Sequence, residues 1–177
     1  HYFRKHLPQQ LEELYLSSAI MDFANSAIML FEPIYLWSLG YRLRDIMIFY
    51  LLVYGAYIFT APLGGKFVAR YGHERSILIS TFWLVAYIVA LIGIRQSSAL
   101  FFVAPFLLTM QKTFYWPAYH FDFMRFSLKE ERASEYSGLW ALSTMMYTLG
   151  PVAAGFAIKL FGFSAMFSSA ILLILLS

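Results

Sequence analysis

Cysteine is absent from this chain, which removes both a disulfide framework and any thiolate metal site. Charge is nearly as scarce: Asp, Glu, Lys and Arg make up 13% of the 177 residues, where a soluble domain carries about a quarter. No glycine-rich phosphate loop, His-Glu-x-x-His pair or Gly-x-Ser-x-Gly elbow occurs, so no motif assigns a reaction. The chain reads as a non-enzyme without a cofactor. His73 and His120 have no ligand companions at useful spacing, so no metal site is expected and both suit surface or packing roles.

What fills the chain instead is apolar. Hydrophobic residues make up 60% and aromatics 20%, and the mean hydropathy is +0.64. The runs between charged clusters approach or exceed the ~20 apolar residues that cross a bilayer. An integral membrane protein follows, with lipid as its first partner. The net charge of +3 is that of loop cations at a membrane surface and calls for no nucleic acid. The segment opening His1-Tyr2-Phe3 lacks a signal-peptide layout, and the last apolar run, from Phe163, is short for a crossing. A piece of a longer protein, cut at both ends, is expected.

The apolar runs predict an all-α fold of six transmembrane helices at 11–38, 45–69, 76–94, 99–124, 134–159 and 163–177. All the breaks are short, so successive helices should run antiparallel in one compact bundle. Loop cations set the orientation. One side collects Arg4, Lys5, Lys66, Arg70, Arg75, Arg125, Lys129 and Arg132, and the other Arg42, Arg44, Arg95 and Lys159. The richer side belongs in the cytoplasm, together with the N-terminus, in a bacterial inner or plasma membrane.

The break at 70–75 reads as a tight cytoplasmic turn, with Gly65 and Gly72 there for close approach and sharp reversal. Its pattern, Gly65-x-Phe67-x-Ala69-Arg70-x-Gly72 with Arg75 one place late, resembles the loop between helices two and three of the major facilitator superfamily. Ala69 replaces the acidic residue of that signature and His73-Glu74 its basic pair. The stretch Gly150-Pro151-x-x-Ala154-Gly155, with Ala154 in place of a glycine, is similar to a motif of the family's fifth helix, and the run through Pro117 to Lys129-Glu130-Glu131-Arg132 to its fourth. The resemblance implies the N-terminal six-helix half of a twelve-helix transporter. The other half would lie on the same chain or on a second copy.

Sliding the chain by 89 residues lays Pro62-x-x-Gly65-x-Phe67-x-x-Arg70 over Pro151-x-x-Ala154-x-Phe156-x-x-Lys159. An inverted repeat of three helices plus three is expected, with solute sites near the membrane midplane.

Polar residues inside the spans are the candidate site, because a charge in hydrocarbon is expensive unless it faces a cavity or a partner. The first helix carries Asp22, Asn25 and Glu32 at helical steps, with Met29 among them as core; the fourth carries Lys112, Tyr115 and Tyr119, with Gln111 beside them. The second offers Tyr54 between Tyr50 and Tyr57, and the fifth Trp140 and Tyr147 around Ser143 and Thr144. The third and sixth helices suit lipid. Glu32 reads either as a cavity group or as a carboxylate snorkelling to the surface. Lys112 reads either as a functional cation or as half of a structural pair with Asp22 or Glu32. Asp122 with Arg125 reads as an interfacial pair.

Two functions remain open on this basis. One is a secondary transporter that moves a small solute by alternating access, with a carboxylate free to carry a proton. The other is a non-transporting relative that keeps the fold as a receptor or scaffold.

Overall fold

The computed structural model describes residues 9–126 and 132–177. They form six helices: α1 (Gln9–Ser38), α2 (Leu43–Tyr71), α3 (His73–Gly93), α4 (Leu100–Phe126), α5 (Arg132–Phe161) and α6 (Phe163–Leu176). The expected helices are all present, and their ends lie within three residues of expectation. Arg4, Lys5, Lys129 and most of the 127–133 break lie outside the described residues, as do the side chains of the Asp122–Arg125 pair.

Three of the reversals are made at glycines, each at a positive φ that an L side chain resists. At Gly40 (φ 93°), the glycine amide donates to the Trp37 carbonyl (2.9 Å) and the Tyr41 amide reaches back to Leu36 (3.2 Å). That paired arrangement satisfies carbonyls left over at the end of α1. Next, the Asp45 carboxylate accepts the Arg42 amide at 3.1 Å and supplies negative charge to the first turn of α2. At Gly72 and Gly162 a single residue separates two helices, with φ/ψ of 88°/162° and 86°/172°. The turn expected over 70–75 is therefore Gly72 alone. Arg70 lies in the last turn of α2, which ends at Tyr71, while His73, Glu74 and Arg75 open α3.

By length and composition four stretches can cross a membrane among the described residues: Tyr15–Ser38, Leu43–Tyr71, His73–Gly93 and Ser137–Phe161. The expected six crossings thus have four clear carriers. α6 is apolar but has only 14 residues, and α4 is long enough but diluted by Gln111, Lys112 and His120.

The chain divides into two compact units, where the short breaks predict one bundle. The first joins α1 up to Glu32 with α5 and α6; the second runs Pro33–Asp122 and holds α2, α3 and nearly all of α4. In the first unit, small residues let helices approach closely, and Ala24, Ala27, Ala154 and Ala170 are all buried. In the second, Phe49, Val53, Tyr87, Ile88 and Leu91 form the buried core. α3 is not simply a lipid-facing helix. Leu78, Phe82 and Val89 suit lipid, but Ser76, Ser80, Leu84 and Tyr87 are buried, and the Ser76 hydroxyl donates to the Phe114 carbonyl of α4 at 2.7 Å.

Candidate functional site

In the first unit the site residues gather along α1 and α5. Asp22 is half-buried on α1, and the Ser143 hydroxyl of α5 donates a hydrogen bond to its carboxylate. One turn on, the Ser26 hydroxyl stands 2.9 Å from the Phe23 carbonyl and 3.2 Å from the Met146 carbonyl of α5. Gly150 makes this joint possible. A Cβ there would lie 2.6 Å from the Phe23 carbonyl oxygen and would collide with Ser26 Oγ. The motif residue Gly155 has only ordinary contact, at 3.6 Å from Phe31, and Pro151 is half-buried. Trp140 (59% exposed) and Tyr147 flank Ser143 on the open face of α5.

The stripe expected on α1 survives in part. Asn25 is half-buried beside Asp22, but Met29 is 58% exposed rather than core. Glu32 is 3% exposed, with Oε1 fully buried, so it does not snorkel. Ten residues at 3.6 per turn carry Glu32 about 80° round the helix from Asp22, which takes it off the open face.

In the second unit Lys112 is the centre. It is half-buried on α4, with Nζ 5.5 Å from the centroid of the Tyr54 ring of α2. An aromatic face offers an ammonium partial compensation for lost water. Tyr54 is 46% exposed. Tyr115 and Tyr119 stack at 5.8 Å along the same helix. Gln111, expected beside Lys112, is buried, because one residue along a helix turns the side chain by about 100°.

Sequence reading missed two features here. Trp116 lies edge-on to both tyrosines and stacks on His120, at centroid distances of 5.5, 6.2 and 6.0 Å. A hydroxyl ladder also joins α2 to α4: Thr60 and Thr113 hydroxyls are 2.7 Å apart, Thr113 donates to the Thr109 carbonyl (2.8 Å), and Thr109 reaches the Val53 carbonyl (3.1 Å). Its sequence signal is the Thr-x-x-x-Thr spacing of 109 and 113, one helical turn apart.

The signature-loop residues divide by role. Gly72 supplies the positive φ, while Gly65 faces open space. The close approach expected of Gly65 belongs to Gly64, whose missing Cβ leaves room for the Thr113 carbonyl. Arg70 lies over the Tyr71 ring at 5.3 Å, and Arg75 is exposed. Neither forms an ion pair among the described residues, where the pairs are Arg44–Asp45 and His73–Glu74.

Among models of known protein families, residues 14–177 match the one described as Major Facilitator Superfamily. No curated protein gives a significant match.

Proposed function

The chain belongs to the major facilitator superfamily of membrane transporters, and from that premise we propose that it is the N-terminal half of a secondary transporter that moves a small solute by alternating access. The observation that carries this reading is the Asp22 carboxylate, placed in a membrane-spanning helix and held by the Ser143 hydroxyl. A carboxylate in that setting is a group that can gain and lose a proton as its surroundings change. It is assigned the coupling proton. Within each unit separately, the groups proposed to meet solute are Asn25, Trp140 and Tyr147 in the first, and Tyr54, Lys112, Tyr115 and Tyr119 in the second. Glu32 is kept as a second ionisable group. The remaining partner is a C-terminal six-helix half.

Correspondences inside the units support the three-plus-three repeat. Gly72 and Gly162 share their backbone angles 90 residues apart. The buried positions Ser76, Ser80 and Leu84 of α3 recur as Met166, Ala170 and Ile174 of α6. The Phe23–Gly150 joint recurs as Thr113–Thr60. At the same offset Asp22 corresponds to Lys112, each with a partner from the second helix of a repeat. Each compact unit then combines the first helix of one repeat with the second and third of the other.

One observation favours the receptor or scaffold reading: Ala69 stands where the signature loop has an acid, and Arg70 and Arg75 form no ion pair among the described residues. The deciding experiment begins with a thermal-shift screen of the full-length protein against metabolites and drugs, since a ligand stabilises the state that binds it. Hits are then tested for uptake into proteoliposomes with and without a proton gradient. Transport predicts gradient-dependent uptake that Asp22→Asn reduces at least about tenfold, a loss of ~1.4 kcal/mol, with little change in melting temperature. Binding without uptake would favour the receptor.

A further inference from the structure

At the end of the second unit away from Gly72, the α1–α2 reversal and the α3–α4 loop flank an open cavity of about 290 Å³. That is near the lower bound of ~300 Å³ for small-ligand sites. Its polar lining is Tyr41, Arg95, Gln96 and Ser98, with Leu39, Gly40 and Ile94 completing the wall. No carboxylate lines it. The walls are built parts: the Tyr41 ring stacks on Phe101 at 4.3 Å and 8°, and the Tyr35 hydroxyl fastens the end of α1 to the Ile92 carbonyl of α3 at 3.2 Å.

The donors outnumber their local uses. Arg95 is exposed and forms no ion pair among the described residues. The Gln96 amide closes the helix end on Gly93 at 2.8 Å, whereas the Ser98 amide donates to no carbonyl of the loop. The one nearby acid, Asp45, is occupied by the Arg42 amide (3.1 Å) and by Arg44 (3.8 Å). Burial pushes the Tyr41 phenol above its usual range, with Asp45 adding to the effect, so it stays a proton donor.

We propose that this cavity is an anion site for a phosphate group, with the Arg95 guanidinium as its main contact and the Ser98 hydroxyl and amide, the Gln96 side chain and the Tyr41 phenol around it. A guanidinium matches phosphate oxygens two at a time. The cavity sits where α2 and α3 leave the hydrocarbon, level with lipid head groups, so the phosphate can be that of a lipid or a free anion. Lys112 lies about 18 Å further along α4 from Leu100, which separates this cavity from the proposed solute group.

The test measures thermal unfolding of the full-length protein in two arms. In neutral detergent, sodium phosphate is compared with sodium chloride at equal ionic strength. In nanodiscs, phosphatidylcholine is compared with phosphatidylcholine containing phosphatidylglycerol. A rise of about 2–4 °C in the first arm identifies a free-anion site, and a rise in the second alone identifies a lipid head-group site. Arg95→Gln should abolish the rise, and so should Gln96→Glu, a loop substitution that puts a negative charge at the cavity without removing the arginine. Arg44→Gln, outside the lining, should keep it. No rise in either arm, a rise that survives either cavity substitution, or one lost equally in Arg44→Gln would overturn the proposal.

Discussion

Three glycines within nine positions show how little a residue type says without its surroundings. Gly65 carries the family signature, yet it faces open space on α2, so Gly65→Ala should be neutral or stabilising by up to ~1 kcal/mol through helix propensity. Gly64 faces the Thr113 carbonyl, and a methyl group there collides with backbone; Gly64→Ala should destabilise by about 1–3 kcal/mol. Gly72 has space around it but a φ of 88°. Gly72→Val should therefore cost about 1–3 kcal/mol through backbone strain and shorten uptake without blocking membrane insertion. Thermal melts of the three variants in one detergent check the order. A Gly65→Ala protein less stable than Gly64→Ala would contradict the assignment. The motif was legible in the sequence, but which glycine of the pair meets another helix was not, since that depends on the neighbouring chain. Met29 and Glu32 show the same limit. Met29 stays on the stripe with Asp22, where packing leaves it open rather than core, while Glu32 lies about 80° round the helix from Asp22 and is buried.

Between elements, proline and glycine act together at the α2–α4 crossing. Pro117 has no amide to give the Thr113 carbonyl four residues earlier, and that carbonyl is the one Gly64 allows α2 to approach. A Cα–H contact is the available partner there, worth ~0.5–1 kcal/mol. The Thr60–Thr113 hydroxyl pair lies at the same crossing. Thr113→Val keeps the shape and removes the hydroxyl, so it should cost about 0.6 kcal/mol, the mean for hydrogen bonds between membrane helices. It should cost less than Gly64→Ala. A larger loss for Thr113→Val, read from the same melts, would mean that the hydroxyl ladder and not backbone packing holds α2 to α4. The helices themselves were readable because long apolar runs are punctuated by clustered cations and glycines. Their grouping was not: that α1 packs with α5 and α6 while α2, α3 and α4 form a second unit is a matter of tertiary contact, on which the local pattern is silent. Polar lining of α3 escaped for a related reason, because Ser76 and Ser80 look like minor interruptions until Ser76 is seen on the Phe114 carbonyl.

For the whole molecule, orientation fixes which aqueous phase each loop faces. α3 tests it within one unit. Its 21 residues rise about 32 Å at 1.5 Å each, close to the ~30 Å of bilayer hydrocarbon, so its two ends should lie in opposite aqueous phases. Arg75 is exposed in its first turn and Gln96 just beyond its last. The excess of cations on the Arg75 side assigns that side to the cytoplasm. Residues 1–177 contain no cysteine that would compete for the label. Arg75→Cys and Gln96→Cys can each be introduced singly and treated with a membrane-impermeant maleimide in intact cells and again after permeabilisation. The Gln96→Cys thiol should be labelled in intact cells and the Arg75→Cys thiol only once the membrane is opened. Labelling of both in intact cells would show that α3 does not span, and the reverse pattern would turn the topology over and place the anion cavity beside Arg95 in the cytoplasmic leaflet.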